Sequence, residues 1–467
     1  MGQFVETVRR AFRRALRAGG RPGQLRILAG APVLLLLSTA AAPPPPATGQ
    51  FLALSDIHFD PFADPAIVPK LIAADADRWP AIFASSRRTM PVGAGSDTNY
   101  PLLDSALKAA AAAAGKPGYD FVLLTGDLLR HDFERTFAKY GGADKAALDA
   151  FTLKTLTFVN REVERRFRGA PLIEALGNND NDCGDYQPRP GAPLLAATAR
   201  TLPAVSGDAQ ARADFAAGGN YAVPHPRTPD HLFLVLDSVF WSPKYRDACG
   251  GSGSEAGAAQ LAWLEWQLFR ARQRKQTISL VMHIPPGINP HESTPAAPVP
   301  FWVDAWRDRF LAITAAYAPL LAAGYAGHTH MDDFRILSAP AGPYLAIRVT
   351  PSVTPLFGNN PSFSVMRYGI ADARPTGYVS YVFQAGAWQR EYDFAQTYGY
   401  DSYSAANLTA LAAAIRSGGS ARAAYGLYYA SGAKSPITAQ NALVYACAQT
   451  ELRADTFAAC VGAAPGD

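Results

Sequence analysis

Short apolar runs alternate with longer amphipathic stretches along the chain after residue 50. The runs lie at Phe51–Leu54, Phe121–Leu124, Leu172–Leu176, His231–Leu236 and Ile278–Met282. Apolar runs of this length are typical of buried strands, and helix-like stretches separate them. Strands that alternate with helices predict a layered α/β fold.

Two of the intervening stretches are predicted to be helices. Leu103–Ala114 is rich in Leu and Ala, which favour helices. Gln260–Arg274 has leucines and two tryptophans, Trp263 and Trp266, at helical spacing and ends in basic residues. We expect the two tryptophans to pack in the core.

The pattern changes after Gly327. Four further strand-like runs follow, separated by Gly and Pro turns: Phe334–Leu337, Tyr344–Val349, Ser364–Ile370 and Tyr378–Phe383. They predict an antiparallel second sheet. The chain then becomes alanine-rich, which predicts a small C-terminal helical extension over residues 396–467.

The N-terminus has the order of features found in export signals. Seven arginines lie in the first 26 residues, an apolar run follows at Ile27–Leu37, and small residues occupy positions 38–42. This order predicts a signal peptide over residues 1–42, followed by a Pro-rich leader at residues 43–50. The alternative is an uncleaved membrane anchor at residues 27–37. We expect the protein to be exported, either to the periplasm or as a secreted protein.

The formal net charge of +4 reflects that arginine-rich segment, so the rest of the chain is close to neutral. A nearly neutral body predicts no specific nucleic-acid partner. Nothing in the composition indicates an oligomeric state.

The four cysteines are expected to form disulfides, because an even number in an exported protein is typical of an oxidising compartment. Cys447 and Cys460 are close in sequence and are predicted to pair within the C-terminal helices. Cys183 and Cys249 would then pair across two loops. The alternatives are free thiols or a metal site, although no Cys-x-x-Cys spacing supports zinc.

Side chains suited to metal binding follow five apolar runs, and four of the eight histidines are among them. In open α/β sheets, loops at the carboxyl ends of the strands form the ligand crevice. Carboxylates and neutral imidazoles bind divalent ions such as Zn, Mn or Fe. Each motif alone is common, so the prediction depends on their combination. The candidate ligands are Asp56, His58, Asp127, Asn178, His283, His328 and His330.

In this order, Asp-x-His, Gly-Asp, Gly-Asn, His and Gly-His-x-His resemble the five-block signature of the calcineurin-like metallophosphoesterases. The segments Ser55–Asp60, His283–Gly287 and Asn360–Phe363 are most similar to acid-sphingomyelinase-like phosphodiesterases. The resemblance implies a two-sheet αββα sandwich, with the catalytic domain at residues 51–395. It also implies two divalent metal ions, with zinc favoured.

The resemblance also assigns roles to the seven residues. Asp56, His58 and His330 would hold one metal ion, and Asn178, His283 and His328 the second, with Asp127 bridging both. Hydrolysis would proceed by in-line attack of a metal-bridging hydroxide on phosphorus.

One position departs from the family pattern. Where the family has Gly-Asn-His, this chain has Gly-Asn-Asn-Asp, with Asn179 in place of a histidine that contacts the phosphate and helps to protonate the leaving group. An amide cannot act as an acid near neutral pH. Either His131 is the general acid, or the leaving groups need no proton. The Gly-Asn-Asn-Asp variant is similar to that of endopolyphosphatases, which cut phosphoanhydrides.

These patterns together predict an exported phosphoesterase that hydrolyses phosphodiester or phosphoanhydride bonds in a small or polymeric substrate. A sphingomyelinase-type lipid phosphodiesterase is an alternative, weakened because no six-cysteine saposin-like segment precedes the motifs. A catalytically silent metal-binding protein is a further alternative.

Two smaller features stay outside the motifs. Asp97 and Asn99 either line the substrate site or cap the following helix. His225 and His231 are expected on surface loops.

Overall fold

The computed structural model describes residues 47–247, 249–250 and 253–462. The predicted signal peptide at 1–42, with its apolar run at 27–37, lies outside these residues, as do positions 43–46 of the leader. Within the described residues, no helix is both long enough and apolar enough to cross a membrane.

The described residues contain two six-stranded mixed sheets. The strand order is β12-β11-β10-β1-β2-β3 in the first sheet and β4-β5-β6-β7-β9-β8 in the second. The strands are β1 Thr48–Leu54, β2 Val122–Leu124, β3 Leu172–Glu174, β4 Tyr221–Pro224, β5 His231–Val235, β6 Thr277–Val281, β7 Leu321–Ala326, β8 Asp333–Ala339, β9 Gly342–Val349, β10 Ser362–Gly369, β11 Pro375–Gln384 and β12 Ala387–Asp393.

Helices connect the strands and follow the last of them. They are α1 Val68–Ala73, α2 Trp79–Phe83, α3 Tyr100–Ala113, α4 Phe133–Gly141, α5 Lys145–Arg166, α6 Pro193–Thr201, α7 Pro203–Ser206, α8 Ala209–Gly218, α9 Gly253–Arg274, α10 Asp304–Ala316, α11 Phe394–Tyr398, α12 Ala405–Ser417, α13 Gly419–Tyr428, α14 Ala442–Ala448 and α15 Ala454–Gly462. Short 3-10 turns lie at Ala76–Arg78, Ser238–Trp241 and Ala318–Leu320.

The two sheets pack face to face. Phe51 of β1 meets the edge of Tyr325 of β7, with ring centroids 5.5 Å apart. Helices α3 and α5 contribute to the core that includes the first sheet. Helices α9 and α10 pack on the second sheet through Leu264 and Phe310. The predicted αββα sandwich is therefore confirmed.

The parallel strands direct their carboxyl ends to one edge of each sheet. In the first sheet β1, β2 and β3 are parallel neighbours, and in the second sheet β5, β6, β7 and β9 are parallel. Loops that leave these ends are thereby brought together.

The prediction that the strands after Gly327 form a sheet of their own is wrong. Strands β8 and β9 complete the second sheet beside β7, whereas β10, β11 and β12 pair with β1 in the first. An apolar strand pattern fixes which face is buried, but it carries no information about which partner strand is chosen.

The edge strands β4 and β12 were not predicted. Strand β4 contains Pro224, which an edge strand tolerates because the outer side of the strand needs no amide donor. Strand β12 contains Arg390 and Glu391, and charged side chains of this kind are common on exposed edges. Trp266 is 55% exposed, so the prediction that it packs in the core is wrong.

Both predicted disulfides are present. Cys447 of α14 is joined to Cys460 of α15, and Cys183, in the loop after β3, is joined to Cys249, just before α9. The C-terminal helices pack on the sandwich, because α12 lies against β8 and β9. The division of the chain at residue 395 stays a prediction.

Candidate metal centre

Five loops bring the seven predicted ligands together at the joined carboxyl edges of the sheets. They follow β1, β2 and β3 of the first sheet and β6 and β7 of the second. All are buried except His328, which is partly exposed. We call this set the ligand cluster: Asp56, His58, Asp127, Asn178, His283, His328 and His330.

One half of the ligand cluster surrounds His58. Its Nε2 lies 3.2 Å from Nε2 of His330 and 3.4 Å from Oδ2 of Asp127. The Nε2 atom of His330 lies 3.4 Å from Oδ1 of Asp56. Three side chains from two loops, the loop after β1 and the loop after β7, therefore direct nitrogen or oxygen atoms to one point, together with one oxygen of Asp127.

The other half surrounds His283. Its Nε2 lies 3.1 Å from Oδ1 of Asn178, 3.3 Å from Nδ1 of His328 and 3.2 Å from Oδ2 of Asp127. The same Asp127 oxygen thus faces both halves. The ligand cluster is a potential two-metal site with a shared carboxylate.

Backbone carbonyls set the orientation of two imidazoles. Nδ1 of His58 lies 2.9 Å from the Leu129 carbonyl oxygen, and Nδ1 of His283 lies 2.7 Å from that of Thr125. Each Nδ1–H donates to its carbonyl, so Nε2 is the ring atom that faces the centre.

Neighbouring side chains orient two further ligands. The Asn178 amide nitrogen donates to Asp185 over 2.7 Å, which leaves its oxygen pointing to the centre. Nε2 of His328 lies 3.3 Å from the Tyr186 hydroxyl. Sequence reasoning missed Asp185 and Tyr186, although an acid-rich loop directly after Asn178 was a visible signal.

The carboxylates of the ligand cluster, and burial, shift the pKa values of its histidines. Burial alone would lower the pKa of His283, but the Asp127 carboxylate outweighs it and raises that pKa to about 10. His58 behaves alike, with its pKa raised to about 9. Burial lowers the pKa of both His328 and His330 to about 3. Two of the imidazoles are thus held as neutral lone-pair donors.

The donor set fits divalent cations. Among the described residues, no lysine or arginine nitrogen lies within 4.0 Å of Asp56 or Asp127; their charged neighbours are histidines. Two buried carboxylates without a permanent cation are costly. Imidazole, carboxylate and amide oxygen donors are those that Zn, Mn and Fe accept.

The glycines of the motifs make room for the ligands. A Cβ at Gly177 would collide with the Asp127 carboxylate, and a Cβ at Gly327 would collide with Ser55 and stand 2.7 Å from Asp56. The loops can approach this closely only because those positions have no side chain.

Backbone strain is concentrated in the ligand loops. Five of the seven ligands have a positive φ, between +44° and +73°: Asp56, His58, Asp127, His328 and His330. This left-handed conformation is unfavourable for residues with a Cβ, and such residues cluster at functional sites. The fold therefore holds these side chains in a costly arrangement.

The other two candidate residues border the ligand cluster in different ways. The ring of His131 stacks on His58 with centroids 3.9 Å apart, and it lines the adjacent cavity. Nδ1 of His131 lies 2.9 Å from Asp97. The Asn179 side-chain amide instead donates to Oδ2 of Asp127 over 3.0 Å and is buried.

The structure distinguishes the two roles left open for Asp97 and Asn99. Asn99 caps α3 by accepting the Leu102 amide hydrogen, whereas Asp97 holds His131. His225 and His231 are buried, so the prediction that they lie on surface loops is wrong. His231 belongs to β5, and its two nitrogens contact Thr277 and Ser279.

A cavity of about 720 Å³ opens beside the ligand cluster. Its walls come from the ligand loops, from the loop after His283 and from the C-terminal helical segment. Lining side chains outside the cluster include Tyr186, Lys244, Glu292, Phe357 and Lys434.

The chain is similar to known phosphoesterases along most of its length, although no family model matches it. It is 26% identical over 436 residues to acid sphingomyelinase-like phosphodiesterase 3b of Homo sapiens, with 88% of this chain and 90% of the relative aligned. It is 25% identical over 378 residues to the cyclic GMP-AMP phosphodiesterase SMPDL3A of Rattus norvegicus, covering 76% and 77%.

A shorter similarity connects the chain to an endopolyphosphatase of Cryptococcus neoformans. The two are 26% identical over 222 residues, which is 46% of this chain and 29% of that protein. The relatives are therefore phosphodiesterases and an endopolyphosphatase. The resemblance read from the motifs, including its endopolyphosphatase-like element, is confirmed.

Proposed function

We propose that this chain is a two-metal phosphoesterase that hydrolyses phosphodiester or phosphoanhydride bonds. The observation that carries the proposal is the shared oxygen of Asp127, which faces His58 and His283 from opposite halves of the ligand cluster. Two metal ions bound there would lower the pKa of a water molecule and offset negative charge that develops on the phosphoryl oxygens.

We propose the ligands as the sequence assigns them. Asp56, His58 and His330 hold one ion, and Asn178, His283 and His328 hold the other. The distances within each half support this division. Four imidazoles among the donors favour zinc, with Mn or Fe as alternatives.

His131 is the proposed general acid. Its Nδ1 is engaged by Asp97, so Nε2 is the atom available to a leaving group in the cavity. Asn179 has a different role in this proposal. Its amide holds the bridging carboxylate of Asp127, and this contact occupies the side chain that replaces the family's histidine.

We also propose that the protein acts outside the cytoplasm. Two disulfides support an oxidising compartment. The predicted signal peptide at residues 1–42 would supply the export; in the alternative, an uncleaved anchor at residues 27–37 would attach the protein to a membrane.

The first experiment is a substrate panel on metal-reconstituted protein, with bis-p-nitrophenyl phosphate, ATP, tripolyphosphate and sphingomyelin. We expect turnover of diesters or anhydrides that a chelator abolishes and that Zn, Mn or Fe restores. If no substrate turns over with any of these metals, the enzyme proposal is wrong.

A second experiment addresses His131. We expect His131→Ala to slow cleavage of an alkyl phosphodiester by about 100-fold, because an alkoxide needs a proton to leave. Cleavage with a p-nitrophenolate leaving group should change little. Equal losses for both leaving groups would contradict the assignment of a general acid.

A further inference from the structure

The cavity beside the ligand cluster is larger than one phosphoryl group requires. Its volume of about 720 Å³ is in the range of pockets that enclose whole small molecules, roughly 300–1,000 Å³. The ligand cluster occupies one wall. The remaining walls must therefore contact the part of a substrate that lies beyond the phosphate being cleaved.

The C-terminal helical segment builds part of those walls. The segment between α13 and α14 contributes Tyr429, Ala430, Lys434 and Pro436 to the cavity lining. This segment is anchored to the ligand loops, because the Asp332 amide donates to the Tyr429 carbonyl over 2.9 Å. Lys434 follows this contact by five residues in the same segment.

Two lysines line the cavity and differ in their partners. Nζ of Lys244 lies 3.2 Å from Glu292 and 5.7 Å from the Tyr186 ring centroid, so its charge is already partly balanced. Among the described residues, no carboxylate oxygen lies within 4.0 Å of Nζ of Lys434, in contrast to Lys244. Lys434 is therefore an exposed cation on the lining of the cavity that opens to the ligand cluster, with no carboxylate partner among the described residues.

The carboxylates on the cavity do not cancel this charge. Glu292 is paired with Lys244, and Asp185 accepts the amide of Asn178. Asp127 belongs to the ligand cluster itself. An anion that enters next to Lys434 consequently meets a positive charge, whereas a quaternary ammonium group meets repulsion.

We propose that Lys434, assisted by Lys244, forms an anion subsite that receives a second phosphate group of the substrate. The inference rests on the proposed function, because it places the first phosphate at the ligand cluster. Lysine acts as a flexible point charge for phosphate, which suits a chain of variable conformation. The substrate class is a phosphoanhydride chain, and a phosphocholine ester is disfavoured by its cationic end.

The test uses orthophosphate, pyrophosphate and tripolyphosphate as competitors of bis-p-nitrophenyl phosphate hydrolysis. In the metal-loaded wild-type protein, the apparent inhibition constant should fall as the chain lengthens. In Lys434→Gln the constant for tripolyphosphate should rise about tenfold while that for orthophosphate stays the same. Comparing the inhibition constant of ATP with that of tripolyphosphate shows whether the subsite prefers a nucleotide or an inorganic chain.

Two control variants test whether the effect depends on the charge at this position. Lys434→Arg should restore most of the tripolyphosphate affinity, since the charge is kept. Lys116→Gln removes an exposed lysine on the loop before β2, away from the cavity lining, and should change nothing.

The outcomes separate this inference from the proposed function. If Lys434→Gln weakens orthophosphate and tripolyphosphate equally, or neither, the anion subsite is wrong although the enzyme is active. If the wild-type protein hydrolyses nothing, the proposed function fails. Calorimetric binding of tripolyphosphate to metal-loaded wild type and Lys434→Gln then decides the subsite: equal affinities would overturn it.

Discussion

Two buried polar clusters lie on either side of the short segment from His330 to Asp332. They differ in how the charges of their carboxylates are balanced. The first is the ligand cluster. The second, which we call the paired cluster, consists of Asp332, Arg348, Tyr378 and Tyr392. In the paired cluster, Arg348 donates to both oxygens of Asp332, at 2.5 and 2.8 Å, and both tyrosine hydroxyls also donate to that carboxylate.

The difference lies in the balance of donors and acceptors. The paired cluster has a permanent cation for its carboxylate and connects the two sheets, because Arg348 belongs to β9 and the tyrosines to β11 and β12. The ligand cluster has lone pairs that converge without such a cation. A buried network that is satisfied internally stabilises the fold, whereas converging lone pairs require a bound cation.

The largest expected effect comes from removing the shared oxygen. Asp127→Ala should lower kcat/KM by at least about 1,000-fold and abolish metal binding, because both ions lose a ligand and metals contribute several kcal/mol to such reactions. Metal content by mass spectrometry and turnover of a diester measure this. Asp132→Ala, an exposed carboxylate in the same loop, is the control and should retain both.

Breaking the paired cluster should affect stability rather than chemistry. Arg348→Met leaves the buried Asp332 carboxylate unpaired and should cost about 3–5 kcal/mol in the free energy of unfolding. The double variant Arg348→Met, Asp332→Leu should recover much of that loss. Denaturant unfolding measures it. If instead metal content falls while stability is unchanged, the distinction between the clusters is wrong.

An intermediate effect is expected for a residue that orients a ligand. Asp185→Ala frees the Asn178 amide to rotate, so we expect metal affinity to fall about 10- to 100-fold with the fold intact. Titration with a competing chelator gives the affinity. Asp247→Ala is the control and should leave the metal affinity unchanged, because Asp247 is exposed and does not line the cavity.

The smallest effect concerns pH. Burial raises the pKa of Glu391 to about 8, and Asp332 in the paired cluster adds to the shift. The folded protein therefore keeps this proton while the unfolded chain releases it near pH 4.5, so its contribution to stability is lost as pH rises from about 5 to 8. The free energy of unfolding of Glu391→Gln should therefore fall less than that of the wild type over that range, measured by unfolding at several pH values. A parallel decline in both proteins would contradict this.

Much of the fold and of the candidate site followed from local patterns. Apolar runs predicted most inner strands, because a strand that is buried on both faces must be continuously apolar. The motifs placed the candidate ligands at strand ends, and parallel strands then had to bring them to one edge. The two cysteine pairs followed from their spacing along the chain.

The errors have identifiable causes. Strands β4 and β12 lie at sheet edges, where one side faces solvent and the apolar pattern is weak. Strand partners after Gly327 depend on long-range packing, so β10 joins β1 across more than 300 residues of sequence. No motif includes Asp185, Tyr186 or Lys434. Their positions depend on loops whose conformation is set by tertiary packing.

The sequence by itself determined the chemistry available to this protein, because the residue types and their places after apolar runs specify donors for divalent metal ions. The tertiary structure alone decided the arrangement of those donors: that one oxygen of Asp127 faces two histidines, that Asn179 holds that carboxylate, and that Lys434 lines the cavity. The reason is that donor type is a property of each residue, whereas convergence depends on how two sheets and a C-terminal helical segment pack.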